Sequence, residues 1–321
     1  MEKRLIITLM GPTGVGKTDL AIELYKNLDI NIISVDSIQI YKHLNIGSGK
    51  PSSKVLEKYP HELIDILKPD ESYSTFQFQD DVIDSIRNAF QTKRIPLLVG
   101  GTMMYFHHLV NGISRLPSVD SQIRLRVKKE FEERGVHEMH RYLEKIDKNS
   151  SLKIHQNDTQ RIKRAIEVFL ATGKELSKWQ TENKKEINEV ISESNLIQIA
   201  IKPQDKDMHR EIIAKRFKGM IHNGLIEEVE GILGRKGMSP NSQSMKSVGY
   251  RQVCEYLAGD YSLDDMIDRG INSTRQLAKR QMTWMRSWDN IIFLENNSSC
   301  LLYTSDAADE GLGVDLGGRR I

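Results

Sequence analysis

Apolar positions in the first third of the chain follow two rhythms in turn. Leu5-Ile-Ile-Thr-Leu-Met10 is a short apolar, β-prone run, and Leu20, Ala21, Leu24 and Leu28 then recur at helical spacing. Asn31-Ile-Ile-Ser-Val-Asp36 reads as a second buried strand that ends on an acid. Strand, loop, helix, strand is a βαβ unit, which implies a parallel sheet. Residues 37–72 carry glycines, serines and prolines without a period and read as a long functional loop with a short edge strand. Phe78, Val82, Ile86 and Phe90 place one apolar face on a helix over 75–91. Ile95-Pro-Leu-Leu-Val99 is a further strand, and it leaves through the close-approach turn Gly100-Gly101-Thr102. Met103, Met104, Tyr105 and Phe106 read as packing residues.

The character changes around Leu116-Pro117. From 118 to about 195 the chain is charged and helical, with no strong strand pattern. Ile123, Val127 and Phe131 mark one helix, stopped by Gly135, and Val136, Met139, Leu143 and Ile146 mark the next. Asn157-Asp158 caps a third, whose core face is Ile162, Ala165, Ile166, Phe169 and Leu170. Leu196-Ile-Gln-Ile-Ala-Ile201 returns the chain to the sheet. Helices follow, with a glycine-containing turn at Lys246-Ser-Val-Gly-Tyr250 and a helix over Thr274–Arg286. The expected organisation is an α/β core of 1–115 and 196–300, a parallel sheet flanked by helices, interrupted by an all-helical insertion over 116–195. Residues 301–321 have no helical or strand period and are crowded with glycine near the end; they read as a translated adapter or fusion scar.

Composition adds limits rather than identity. A chain of 321 residues has ample material for one large or two modest domains. A net charge of +2, from 46 basic and 44 acidic residues, neither demands nor excludes a nucleic-acid partner, so local clustering decides. Cys254 and Cys300 lie far apart and form neither a zinc spacing nor a disulfide framework, which suits a reducing cytoplasm. No apolar run approaches the roughly 20 residues that span a bilayer, and the N-terminus enters a strand directly, with no room for a signal peptide.

The chemistry concentrates in Gly11-Pro12-Thr13-Gly14-Val15-Gly16-Lys17-Thr18, which fits G-x-x-x-x-G-K-[ST] between a strand and a helix. Its glycines let backbone N–H groups curl around an anion, and the helix N-terminus adds partial positive charge. Lys17 reaches bound phosphates, and the Thr18 hydroxyl can ligate Mg²⁺. The loop specifies phosphate, not a nucleotide. A P-loop hydrolase needs an acid at the end of a second strand to hold its metal, and the strand at 95–99 leaves without one. The anion is therefore open to being some other diphosphate.

Ligands of parallel sheets sit at the carboxyl ends of the strands. That places Asp36, Ser37 and Thr102 beside the loop; a turn or helix cap is the alternative use of Asp36, and a helix cap that of Thr102. On the third insertion helix Gln160, Arg161 and Arg164 fall together, away from the apolar stripe, which also describes an ordinary solvated face. On the last helix Arg275, Lys279 and Arg286 line up with Met282 between them, pointing to a polyanion or a diphosphate, again with a solvated face as the alternative.

These residues together closely resemble the bacterial tRNA dimethylallyltransferase family. The resemblance rests on Gly11–Thr18; on Ser34-Val-Asp-Ser37 with Gln39 and Tyr41; on Gly47-Ser-Gly-Lys-Pro51; and on Ile95–Thr102 with Tyr105. It continues through Asn157-Asp158 with Gln160, Arg161 and Arg164; Val248-Gly-Tyr-Arg-Gln252; and Thr274–Gln281 with Trp284. The motifs run in family order from residue 4 to about 294; Ile38 inside the substrate loop departs from the pattern, and similarity is lost near 295.

The resemblance implies Mg²⁺-dependent transfer of a dimethylallyl group from dimethylallyl diphosphate to N6 of adenosine 37 in tRNAs with an A36-A37-A38 run. In that reading Gly11 to Thr18 with Arg216, Arg275 and Lys279 hold the diphosphate, and Thr18 takes the metal. Asp36 accepts the N6 proton, and Thr102 bonds the adenine or Asp36. Ser37, Ile38, Gln39, Arg124, Gln160, Arg161, Arg164, Lys246 and Gly249 join Asp36 and Thr102 in contacting the anticodon stem-loop. A cytoplasmic monomer is expected. The competing classes are a P-loop small-molecule kinase with a helical lid, opposed by the missing acid, and a non-catalytic RNA-binding P-loop module, which leaves the joint presence of Lys17, Thr18 and Asp36 unexplained.

Overall fold

A computed structural model describes residues 4–112, 116–182 and 187–296. Cys300 and the 301–321 tail lie outside the described residues. In chain order the elements are β1 (Leu5–Met10), α1 (Lys17–Asn27), β2 (Ile30–Val35), α2 (Ser53–Lys58), β3 (His61–Glu62), α3 (Thr75–Gln91), β4 (Ile95–Gly100) and α4 (Met103–Asn111). Then come α5 (Ser121–Ile146), α6 (Lys148–Lys153), α7 (Thr159–Thr172), α8 (Leu176–Glu182) and α9 (Glu189–Ser192). The chain continues with β5 (Asn195–Pro203), α10 (Lys206–His222), α11 (Leu225–Leu233), α12 (Tyr250–Leu257), α13 (Leu263–Arg286) and β6 (Ile291–Asn296). It divides into two units, Met1–His108 with Glu189–Ile321, and Leu109–Asn188.

The first unit is an α/β fold on a six-stranded sheet of order β3-β2-β4-β1-β5-β6, every pair parallel. Continuous apolar strands suit a parallel sheet covered on both faces. Leu9, Ile30, Ile32, Leu97 and Val99 pack with Ala21 of α1, while the alternate residues Ile33 and Leu98 are just as fully buried. A capping box between Ser74 and Gln77 starts α3, which brings Phe78, Val82 and Ile86 into the core.

Two elements differ from the sequence reading. The last helix begins at Leu263, not Thr274, because Ser262 caps it and Asp264 and Asp265 favour its positive end. Gly270 lies inside that helix, and Phe217 of α10 packs onto it. A Cβ at Gly270 would sit 2.0 Å from Phe217 Cζ. The glycine thus sets how closely α10 and α13 approach, and both helices send side chains to the sheet edge. The second difference is β6, an edge strand whose Ile292, Phe293 and Leu294 are all exposed, so it has no alternation to announce it.

The second unit is all-helical. Val127, Phe131, Met139, Leu143, Ile162, Ala165 and Ile166 form its core. The backbone breaks at Gly135 (φ 75°, ψ 165°), where the periodicity places a helix end, and the helix resumes at once. Asp147 is fully buried and accepts from Ser150 N, Ser150 Oγ and Ser177 N. Burial pushes its pKa up, but these hydrogen bonds outweigh burial and hold the carboxyl below its ordinary value.

Gly270→Ala is expected to destabilise the first unit by about 1–3 kcal/mol, since overpacking outweighs the gain of up to about 1 kcal/mol in helix propensity. Urea unfolding checks this, with Phe217→Leu expected to recover part of the loss in the double mutant. A single mutant as stable as wild type would show that the helices have room to spare.

Candidate active site

Parallel register builds the site. Val35 pairs with Gly100, Gly100 with Met10, and Met10 with Ala200. The next residues, Asp36, Gly101, Gly11 and Ile201, therefore emerge side by side at the carboxyl edge, on strands about 4.8 Å apart.

At Gly11 the chain turns into the glycine loop, with Gly14 and Gly16 at φ 76° and 80°, and enters α1 at Lys17. Lys17 Nζ donates to Gly11 O (2.9 Å) and Pro12 O (2.8 Å), which holds the ammonium inside the loop. Desolvation there lowers its pKa to about 8; Asp36 opposes the shift and Arg216 adds to it. Thr13 has both main-chain groups engaged: its N–H donates to Gln281 Oε1 (3.0 Å), and its carbonyl accepts from His209 Nε2 (2.9 Å).

Asp36 Oδ1 accepts from Ile38 N (2.8 Å) and Gln39 N (3.2 Å). The carboxylate thus does serve its own turn, as the capping reading allowed, yet one oxygen carries both bonds. Thr102 Oγ1 accepts from Ser37 N (3.1 Å) and donates to Ser37 Oγ (3.4 Å). Its partner is Ser37 rather than Asp36. Gln39 is tied inward, with Oε1 accepting from Ser34 Oγ (3.3 Å) and Nε2 donating to Ser48 O (3.5 Å). Tyr105 stacks on Phe78 (centroids 4.1 Å apart). Burial, then Tyr41 and Asp36, push its phenol pKa up, so it stays neutral.

The loop 45–50 completes the edge. Glu228 of α11 accepts from the N–H groups of Asn45 (2.9 Å), Ile46 (2.8 Å) and Gly47 (3.2 Å). The Tyr250 hydroxyl donates to Glu228 (2.7 Å) and accepts from Ser48 N (3.1 Å). Lys50 Nζ, almost inaccessible, donates to Tyr41 O (2.8 Å), Asn45 Oδ1 (3.1 Å) and Asp65 Oδ1 (2.6 Å). Gly49 has φ +60°, and a Cβ on it would lie 1.8 Å from Arg216 Nη2. The guanidinium therefore lies over that glycine. Although Arg216 as a residue is exposed, its guanidinium end is desolvated, which lowers its pKa; Asp36 and then Asp19 oppose this.

The other expected residues divide. Arg275 Nη2 donates to Arg210 O (3.3 Å), and its buried Nε has no partner among the described residues. Lys279 and Lys246 are exposed. Gly249 is buried, caps α12 and donates its N–H to Gln252 Oε1 (2.8 Å). In the second unit Gln160 and Arg124 are exposed, and exposed Arg161 pairs with Asp158 (2.8 Å). Arg164 differs from the solvated-face reading. It is half-buried and donates to Pro117 O (3.2 Å), and burial lowers its pKa, against Glu167 and with Arg124.

Glu228, His209 and Gln281 hold the site and were not singled out from the sequence. Gln281 closes the Thr274–Gln281 motif, which was its only signal; His209 and Glu228 carry none. Among the described residues no three His, Cys, Asp or Glu side chains gather as a metal cage, and no helix there is long and apolar enough to cross a membrane. Mg²⁺ usually keeps several waters and takes substrate phosphates alongside few protein groups, and in phosphate-binding loops the hydroxyl after the lysine is one of them. A lone Thr18 hydroxyl on the first turn of α1 fits that pattern, not a dedicated protein cage.

A family model described as IPP transferase matches residues 39–288. The tRNA isopentenylpyrophosphate transferase of Bacillus halodurans is 29% identical with a TM-score of 0.64, covering 96% of this chain and 96% of that one. The tRNA Δ(2)-isopentenylpyrophosphate transferase of Staphylococcus epidermidis is 30% identical with a TM-score of 0.64, over 96% of this chain and 100% of that one. A eukaryotic dimethylallyltransferase acting on tRNA shares the fold at 23% identity and a TM-score of 0.72, over 97% and 81% of the two chains. The glycine loop and Asp36 precede the residues that the family model matches. With the family model spanning well over half of its length, the chain belongs to the IPP transferase family and is a transferase.

Proposed function

We propose that this enzyme transfers the dimethylallyl group of dimethylallyl diphosphate to N6 of adenosine 37 in the anticodon loop of tRNA. The observation that carries the reading is one sheet edge on which two desolvated cations, Lys17 and Arg216, share the field of one carboxylate, Asp36. Such an arrangement suits a reaction that builds negative charge on one side and releases a proton on the other.

The N6 lone pair forms the new bond to the allylic C1, and the C1–O electron pair leaves with diphosphate. Lys17, Arg216 and the loop amides stabilise that leaving charge. Asp36 takes the N6 proton; its Oδ1 is fixed by Ile38 and Gln39, which orients Oδ2 as the acceptor. Thr102 supports this by holding Ser37. Mg²⁺, held by the Thr18 hydroxyl, would screen the diphosphate when bound. An adenine in a single-stranded loop is cheap to extract from its stack. Arg124, Gln160 and Arg161 offer the exposed polar surface for the stem-loop. Incubation with anticodon stem-loop RNA, Mg²⁺ and either dimethylallyl diphosphate or ATP tests the reading: prenylated RNA is expected from the first and no phosphoryl transfer from the second.

Asp36→Asn keeps an oxygen for the turn, so fold and RNA binding should persist while turnover falls by about 10²–10⁴-fold. Turnover close to wild type in the purified mutant would remove Asp36 as the base.

Dimethylallyl diphosphate affinity should be pH-dependent through Lys17. The charged ammonium binds the anion, so binding raises its pKa, and affinity declines as pH rises through about 8, by no more than about tenfold per pH unit for one proton. Titration calorimetry between pH 7 and 9.5 reads this. Lys17→Arg, charged throughout, should flatten the profile; an unchanged inflection would assign it to another group.

Arg124→Ala with Arg161→Ala should weaken stem-loop binding and flatten its salt dependence by about 0.7 log-log unit per lost single-strand phosphate contact. Affinity for dimethylallyl diphosphate should not move. A wild-type salt slope in the double mutant would return these arginines to an ordinary solvated surface.

A further inference from the structure

The glycine loop and the turn that carries Thr102 are joined by one side chain. Gln281, 8% exposed on α13, uses both ends of its amide. Oε1 accepts from Thr13 N at 3.0 Å, and Nε2 donates to Gly101 O at 2.7 Å. The fit leaves no slack, since a Cβ on Gly101 would lie 2.5 Å from Gln281 Nε2. The same Gly101 carbonyl also accepts from Met103 N (3.0 Å) at the start of α4. Thr13 is fixed from its other side by His209 of α10, itself buried. A carbonyl has no proton to give, so Nε2 of His209 carries the hydrogen. The main chain of Thr13 is therefore held by side chains from two helices, one on its N–H and one on its carbonyl, and that N–H is withdrawn from the anion cradle.

We infer that Gln281 is a positioning residue that locks the spacing between the diphosphate loop and the Thr102 turn, so that anion bound at one is felt at the other. The link runs from Thr13 through Gln281 to Gly101, then through Thr102 to Ser37 beside Asp36. An amide is planar and short, so the two loops keep a fixed separation only while both of its bonds exist. Reactions that join two bound partners depend steeply on such spacing: a displacement of about 1 Å costs on the order of 10²-fold in rate. The inference deepens the prenyl-transfer reading and rests on it for the rate measurement, but the coupling itself needs no reaction.

Hydrogen–deuterium exchange on the whole protein tests the coupling with inorganic diphosphate as the probe. In wild type, saturating diphosphate should slow exchange at the amides of Met103, Tyr105 and Phe106, which bond Gly101 O or Thr102 O. Gln281→Met should bind diphosphate within about threefold of wild type yet lose that protection. Gln281→Glu keeps the acceptor for Thr13 and loses the donor to Gly101. At saturating diphosphate it should lose the protection as well, which guards against misfolding of the first variant. At saturating dimethylallyl diphosphate and stem-loop RNA, the single-turnover rate of Gln281→Met should fall about 10–100-fold with both KM values little changed. Retained protection in both variants, a wild-type rate, or a loss of diphosphate affinity as large as the loss of rate would each overturn the positioning role. If wild-type protein shows the coupled protection but no prenyl transfer, the reaction assignment fails while the coupling stands.

Discussion

Two positive charges are held close together with little water at the edge of the sheet. Lys17 sits in the glycine loop and Arg216 over Gly49; poor solvation lowers the pKa of both, Arg216 lowers that of Lys17 further, and Asp36 is their shared counter-charge. Such a pair is unfavourable until an anion joins it. Much of the surrounding structure serves to keep it in place. Glu228 and Tyr250 fix the loop beneath Arg216, Lys50 ties that loop to Tyr41 and Asp65, and His209 with Gln281 fix the loop around Lys17. A field prepared before the substrate arrives needs no rearrangement at the moment charge develops.

What the sequence disclosed was local. The glycine loop, the strand ending on Asp36 and the Gly-Gly-Thr turn are contiguous, and a parallel sheet brings strand ends together whatever the intervening chain. What it withheld was long-range. His209 meets Thr13 across 196 positions and Gln281 across 268, while Glu228 reaches Asn45 across 183. Each is a side chain on backbone, and neither helical period nor composition encodes which carbonyl or amide a buried polar group will find. Gly270 belongs with them: what it does inside α13 is set by the ring of Phe217 on another helix, which no local pattern announces.

The insertion shows the same limit in a milder form. Its apolar stripes were legible because period and burial coincide, as for Ile162, Ala165 and Ile166. The polar face was not. Arg161 and Arg164 share one side of α7, yet one lies in solvent on Asp158 and the other is half-buried on the Pro117 carbonyl. A helical wheel assigns a direction to a side chain but not its depth.

The strand order has a consequence for how the chain is made. β1, β2 and β4 all lie within the first hundred or so residues and can pair as soon as they leave the ribosome, whereas the other edge of β1 is completed by β5, Leu5 against Asn195 through Met10 against Ala200. About 190 residues, the whole helical insertion included, must be synthesised first. Until then the nascent protein carries an open edge on what will become an interior strand, beside a bare row of main-chain donors and acceptors. With β4 ending at Gly100 and β5 starting at Asn195, a synthesis rate of about 5–20 residues per second makes that exposure last roughly 5–20 seconds. The non-local pairing that completes the carboxyl edge beside the glycine loop is thus also a step at which the growing chain is open to chaperones and to mispairing.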